Sequence, residues 1–125
     1  MENISIIFVT VVAIEHIYIL ILEMFLWMKP RTLKTFSVDE KDAETTKVFA
    51  ANQGLYNVFL AAGLFWGVLH PNVMFGLQIQ FFFLSCVIIA ALYGSVTVKK
   101  SIIAVQGLPA TIALISLFTF TNFSF

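Results

Sequence analysis

Residues 13–27 read AIEHIYILILEMFLW, and this stretch decides the class of protein. Nearly all of its side chains are apolar, yet it also carries Glu15, His16 and Glu23, which can hold a charge. The apolar run extends over about residues 4–28, and a helix of roughly 20 apolar residues crosses the hydrocarbon of a bilayer. The stretch therefore indicates a membrane-spanning helix with ionisable groups inside it.

The composition of the whole chain also indicates an integral membrane protein. Its 125 residues are 60% hydrophobic and 11% charged, whereas soluble domains are about 45–50% apolar and about 25% charged. A chain this short cannot bury so much apolar surface in a water-soluble core, so we expect the surplus to face lipid. A formal net charge of +0 argues against nucleic acid as a partner.

Four apolar stretches predict an all-α bundle of four transmembrane helices, in a single domain over residues 1–125. The predicted helices cover about 4–28, 38–69, 73–97 and 102–121, each long enough to span a bilayer. Met1, Glu2 and Asn3 precede the first run without a basic residue, so we do not expect a cleaved signal peptide.

The basic residues predict the orientation of the bundle. The 7 Lys and Arg residues all lie in two loops. The loop between helices one and two holds Lys29, Arg31, Lys34, Lys41 and Lys47, and the loop between helices three and four holds Lys99 and Lys100. Because basic loops stay in the cytoplasm, both termini are predicted to lie outside.

The first basic loop contains a helix-start pattern. Ser37 and Glu40 fit a capping box, in which the two side chains satisfy free backbone N–H groups. Helix two is therefore predicted to begin near residue 38 and to extend into the cytoplasm before it enters the bilayer. A flexible charged linker is the alternative.

The polar residues inside the spans predict two layers when depth is taken as about 1.5 Å per helical residue. A middle layer comprises Glu15, His16 and Asn57. An inner layer, nearer the cytoplasm, comprises Glu23, Asn52, Gln53, Tyr56, Tyr93 and Gln106. Fewer polar groups lie in the outer half, so the layers predict a pocket between helices one and two that opens toward the cytoplasmic leaflet.

An ionised group at the centre of a spanning helix costs about 2.5–3.5 kcal/mol, which favours a functional role for these acids over hydrogen bonding between helices alone. The residues lack the Glu-x-x-His pairs of di-iron bundles, so no metal or other cofactor is predicted. Gly63 and Gly67, four residues apart, predict close helix packing within the chain. A homo-oligomer stays open, because four short helices rarely enclose a large cavity.

The chain also resembles a known family in four stretches. These are EHIYILILEMFLW (15–27), NQGLYNVFLAAGLFWG (52–67), CVIIAALYGSVTV (86–98) and QGLPA (106–110). On them, the chain resembles a family of small bacterial four-helix membrane proteins catalogued as domain of unknown function 1304. The resemblance implies a multi-pass protein of the bacterial cytoplasmic (inner) membrane and implies no activity.

Two families of known activity are similar in part. Small multidrug resistance transporters have four helices and an acid in helix one, which would make Glu15 a proton and cation site, but they lack the long first loop. The membrane-associated eicosanoid and glutathione metabolism family has four helices and forms trimers that act on lipophilic substrates. Here NQGLYN (52–57) lacks the Arg of that family's pattern.

Three functions remain open from these residues. The first is a pocket in the bilayer that binds a small amphiphilic or cationic ligand, with Glu15, His16 and Glu23 as proton or cation acceptors and with proton-coupled transport as an extension. The second is an enzyme acting on a lipophilic substrate, with His16 or Glu23 as general acid or base, assisted by Tyr56 or Tyr93. The third is a structural or partner-binding membrane protein.

Overall fold

Residues 2–125 are described by a computed structural model. Over these residues the chain forms five α-helices, a 3₁₀ turn and a π-helical segment. They are α1 (Glu2–Met24), α2 (Pro30–Thr35), the 3₁₀ turn (Glu40–Asp42), α3 (Ala43–Leu69), α4 (Val73–Thr97), the π-helical segment (Ile103–Gly107) and α5 (Leu108–Phe120). Within residues 2–125 no strand is present, which confirms the predicted all-α fold.

In the part of the chain that the structure describes, four stretches are long and apolar enough to cross a membrane. They are Asn3–Met24, Glu40–Leu69, Val73–Thr97 and Ile103–Phe120. Large apolar side chains such as Ile7, Val96 and Leu69 are exposed on the outside of the bundle, as a lipid environment requires. The orientation of the termini stays a prediction. We call the end with the loops 25–42 and 98–102 the basic end, and the opposite end the terminal end.

The core of the bundle is made of small and branched apolar side chains. The buried cluster comprises Val9, Val12, Ala13, Ala61, Leu64, Leu77, Leu84, Val87, Ala110, Ala113 and Leu117. α1 packs against α3 and α5, and α4 packs against α3 and α5. Only a minority of the side chains of each span is needed for this core, so the outward faces are free to be apolar for lipid.

Glycines set the distance between α3 and its neighbours. A Cβ at Gly63 would overlap the ring of Phe83 on α4, and a Cβ at Gly67 would lie 2.9 Å from the carbonyl oxygen of Gly76. Small residues allow such close backbone approach between helices in a membrane. The four-residue spacing of Gly63 and Gly67 therefore serves packing within the chain.

The first basic loop differs from the prediction, because its serine ends one helix rather than starting another. Ser37 N–H donates to Lys34 O (3.2 Å) and Val38 N–H donates to Leu33 O (2.9 Å). These two bonds form a Schellman motif at the end of α2, with Ser37 in the left-handed conformation at φ 57°. The predicted capping box is therefore wrong, and α3 begins at Ala43 after the 3₁₀ turn rather than near residue 38.

A small apolar cluster explains why the loop folds back on the bundle. Trp27, Leu33, Ala43 and Ala50 are buried together at the basic end. The Trp27 indole N–H donates to Thr46 Oγ1 (3.1 Å), which ties the loop to the first turn of α3. Because the chain turns to bury Trp27, α1 ends at Met24 rather than at the predicted residue 28.

The last span is interrupted by a proline. Pro109 has no backbone N–H, and its ring would clash with the carbonyl of Val105 in a regular α-helix. The backbone instead forms the π-helical segment Ile103–Gly107 directly before α5. The predicted helix over 102–121 is therefore a π-helical segment followed by an α-helix that ends at Phe120.

Candidate functional site

A cavity of about 210 Å³ lies at the basic end, between α1, the end of α2 and the segment 98–106; we call it the Glu15 cavity. Its lining residues are Glu15, Tyr18, Ile19, Leu22, Thr35, Phe36, Val98, Lys99, Ser101, Ile102, Val105 and Gln106. Along α1 the lining runs from Leu22, near the loops, to Glu15, about 10 Å deeper in the bundle. The cavity therefore leads from the basic end toward the middle of α1.

Glu15 is the acidic group of this cavity. Its Oε2 atom is buried and has no hydrogen-bond partner among residues 2–125. A buried carboxyl oxygen without a partner costs about 1–3 kcal/mol, and more if the group is charged. Glu15 is therefore suited to receive a hydrogen-bond donor or a cation that enters the cavity.

The wall between Glu15 and the loops is largely apolar. Ile19, Leu22 and Ile102 contribute to it, and Lys99 and Ser101 provide polar groups near the loops. Ligand pockets usually measure about 300–1,000 Å³, so this cavity fits a small molecule or one end of a longer amphiphile. A molecule with an apolar body and a hydrogen-bond donor or cationic group at one end matches this cavity, which has apolar walls and Glu15 at its deep end.

The π-helical segment builds one side of the cavity. Val105 and Gln106 belong to this segment, and both line the cavity. The irregular backbone follows from Pro109, which cannot continue the regular hydrogen bonding of an α-helix. π-Helical bulges occur frequently at functional sites, so the π-helical segment in this wall is typical of such a site.

His16 lies apart from Glu15 although the two are neighbours in sequence. Its side chain is 1% exposed, and its Nδ1 atom is 2.8 Å from the carbonyl oxygen of Val12 on the same helix. Successive residues of a helix point in directions about 100° apart, so Glu15 faces the cavity while His16 faces the core. The geometry makes His16 part of the packing between helices.

Glu23 and Asn57 form a hydrogen-bonded pair between α1 and α3. Asn57 Nδ2 donates to Glu23 Oε2 (2.7 Å) and also to Gln53 O (3.0 Å). The helices approach closely here, since a Cβ at Gly54 would lie 3.2 Å from the Cβ of Glu23. At this level the two helices are in direct contact, where the sequence predicted a pocket between helices one and two.

The predicted grouping of Asn57 with Glu15 and His16 is therefore wrong. Helical side chains tilt toward the N-terminus of their own helix. Because α1 and α3 are antiparallel, Glu23 and Asn57 tilt toward each other and meet across a difference in backbone depth. A depth calculated from the rise per residue alone leaves out this tilt of the side chains.

Four other predicted site residues lie on the outer surface. Asn52, Gln53 and Tyr56 are exposed on α3, and Tyr93 is exposed on α4. Tyr56 and Tyr93 are 61% and 73% exposed, and neither lines the Glu15 cavity. Of the predicted inner layer, the structure brings Glu23 together with Asn57, and it places Gln106 in the cavity with Glu15.

Several cavity residues were not predicted from the sequence. In the sequence, Lys99 indicates only orientation, and Thr35 and Ser101 lie outside the four predicted helices. The signal that could have pointed to this wall is Pro109, which predicts irregular backbone just before it. Within residues 2–125, no group of three or more His, Cys, Asp or Glu side chains could hold a metal ion.

Comparison with known proteins gives a consistent result over nearly the whole chain. A family described as "Protein of unknown function (DUF1304)" matches residues 10–118. A relative from Lactococcus lactis subsp. lactis (strain IL1403), named "Uncharacterized protein YpaA", is 36% identical over 120 residues, which cover 94% of this chain and 99% of that protein. No solved structure gave a significant match.

Proposed function

The chain belongs to the family described as protein of unknown function (DUF1304), and from that premise we propose that it binds a small amphiphilic or cationic ligand in the Glu15 cavity. The proposal includes a location in the bacterial cytoplasmic membrane, with both termini outside. The single observation that carries the binding proposal is Glu15 Oε2, which is buried in a largely apolar cavity and has no hydrogen-bond partner among residues 2–125.

The direction of access follows from the basic loops. Lys99 and the end of α2 line the cavity at the basic end, and basic loops remain in the cytoplasm. A ligand would therefore enter from the cytoplasmic leaflet. Lys99 has a long flexible stem, which lets its ammonium group reach the membrane surface instead of opposing a cation deeper in the cavity.

The arrangement of acid–base residues favours binding over catalysis. His16 lies in the core, Glu23 is bonded to Asn57, and Tyr56 and Tyr93 lie on the outer surface. A general acid or base must be within hydrogen-bond reach of the substrate, and these four residues do not share a site. Exchange of a proton for a cation at Glu15 would extend binding to transport if the cavity also opens outward.

The test compares three probes of equal chain length by calorimetry on the protein in lipid nanodiscs. They are n-hexylammonium, n-hexanol and hexanoate, with empty nanodiscs to subtract partitioning into lipid. We expect n-hexylammonium to bind most tightly. Glu15→Gln should weaken its binding at least tenfold, which corresponds to about 1.4 kcal/mol.

The matched control is Glu23→Gln, which neutralises the other acid of α1 outside the cavity and should change the affinity less than twofold. Equal affinity for n-hexylammonium in Glu15→Gln and the unaltered protein would refute the proposal. An equal loss in the two variants would also refute it, because the effect would then not depend on the cavity. Proton release on binding, measured in buffers of different ionisation enthalpy, tests the exchange at Glu15.

A further inference from the structure

A second cavity, of about 110 Å³, lies at the terminal end of the bundle. Its polar side chains come from four different elements and converge there: Ser5 of α1, His70 after α3, Gln80 of α4 and Thr121 after α5. Ser5 is ten residues before Glu15, which is about 15 Å along α1. The two cavities are therefore separate, and this one has no part in the proposed function.

Gln80 is the distinctive member of this wall. Its side chain is 4% exposed, and its Oε1 atom is buried with no hydrogen-bond partner in the part of the chain that the structure describes. Close helix packing holds the stem of the side chain, since a Cβ at Gly67 would lie 2.7 Å from Gln80 Cγ. A buried acceptor without a donor costs about 1–3 kcal/mol, so a donor that reached Gln80 would recover this cost.

The other polar groups of the wall are already engaged in part. The Thr121 hydroxyl donates to Leu117 O, which leaves its oxygen as an acceptor. Ser5 Oγ lies 3.3 Å from Ser116 Oγ, whose hydroxyl is also 2.6 Å from Ala113 O. Gln80 Oε1 and the hydroxyl oxygen of Thr121 are therefore acceptors that the wall offers to an occupant.

Charge decides the class of that occupant. Among residues 3–125, whose side chains the structure describes, Asp, Glu, Lys and Arg are absent from the lining of this cavity. Moving a cation from water into the cavity is costly without a carboxylate partner. A neutral donor only replaces a hydrogen bond to water with one to the cavity wall. A liquid water occupies about 30 Å³, so the cavity has room for a molecule of a few heavy atoms.

We propose that this cavity binds a small neutral molecule with N–H donors, an amide or a urea, through Gln80. The probe is acetamide, and the matched probe is N,N-dimethylacetamide, which keeps the carbonyl but has no N–H donor. The readout is the side-chain amide signal of Gln80 in ¹⁵N-glutamine-labelled protein in nanodiscs. Gln78, two residues away and 3.3 Å from Ser124 O, serves as the internal control.

Acetamide should shift the Gln80 signal in a saturable way and leave the Gln78 signal unchanged, and N,N-dimethylacetamide should produce no saturable shift. Thr121→Val removes an acceptor of the wall and keeps the Gln80 signal as the readout, and it should weaken saturation by acetamide at least tenfold. The proposal is overturned if the Gln80 shift grows linearly with acetamide, or if it saturates with N,N-dimethylacetamide. It is also overturned if Gln80 exchanges with water alone and does not respond to acetamide.

Discussion

The pair formed by Glu23 and Asn57 gives a quantitative test of how α1 is held against α3. Asn57 Nδ2 donates both to Glu23 Oε2 (2.7 Å) and to Gln53 O (3.0 Å). Replacing Asn57 with alanine removes both bonds while leaving the helix backbone intact. Glu23, which is 8% exposed, then keeps its carboxyl group without this donor.

The expected loss can be built from two contributions. Hydrogen bonds between helices in a membrane contribute about 0.6 kcal/mol on average and up to about 1.7 kcal/mol. A buried acceptor left without its donor adds about 1–3 kcal/mol. With the average energy for the hydrogen bond, we therefore expect Asn57→Ala to lower the free energy of unfolding by about 1.6–3.6 kcal/mol, because both contributions apply at Glu23.

The assay is unfolding in mixed micelles with increasing dodecyl sulfate, followed by far-ultraviolet circular dichroism. Asn52→Ala is the matched control, since Asn52 is on the same helix and exposed. Its effect should stay within about 0.5 kcal/mol, as for surface substitutions in general. A loss in Asn57→Ala no larger than in Asn52→Ala would contradict the assigned hydrogen bond.

A double-mutant cycle separates the pair from general damage to packing. Glu23→Ala, Asn57→Ala and the double variant should show a coupling energy of about 1 kcal/mol, within the range for interhelical bonds. Independent sites are additive within about 0.3–0.5 kcal/mol. Coupling below about 0.3 kcal/mol would mean that the two side chains act separately, and the reasoning from geometry would fail.

Three further substitutions test the packing of the bundle. Gly63→Ala should lower the free energy of unfolding by about 1–3 kcal/mol, because the new Cβ overlaps the ring of Phe83, and light scattering should show an unchanged molar mass. Thr46→Val removes the acceptor of the Trp27 indole and should speed tryptic cleavage of the loop between α1 and α3; an unchanged rate would contradict the role of that bond. Pro109→Ala removes the obstacle to a regular helix and should weaken n-hexylammonium binding at least tenfold, whereas unchanged affinity would show that the π-helical wall is not needed.

The fold class could be predicted because it depends on local composition. Four apolar runs of spanning length are visible in the sequence, and a helix is the simplest structure that satisfies their backbone in lipid. The loop could not be predicted in the same way. Ser37 and Glu40 match the pattern of a helix start. In the structure the chain turns so that Trp27 is buried, and Ser37 lies at the C-terminal end of α2.

The site was harder to predict because it depends on direction as well as depth. Glu15 and Gln106 were both selected from the sequence, and both line one cavity. Their shared wall depends on how the segment after α4 packs against α1, which no local pattern specifies. Tyr56 and Tyr93 were selected for their depth, yet they point outward, since the apolar runs contain too little amphipathic pattern to identify the inner face.

The pairing of Glu23 with Asn57 has a consequence for how the chain is made. Asn57 is 34 residues later in the chain than Glu23. At a synthesis rate of about 5–20 residues per second, Asn57 is added about 2–7 s after Glu23, and until then Glu23 lacks its hydrogen-bond donor. We expect the ribosome to deliver α1 and α3 to the bilayer as one helical hairpin, so an arrest of translation before Asn57 should leave α1 poorly inserted.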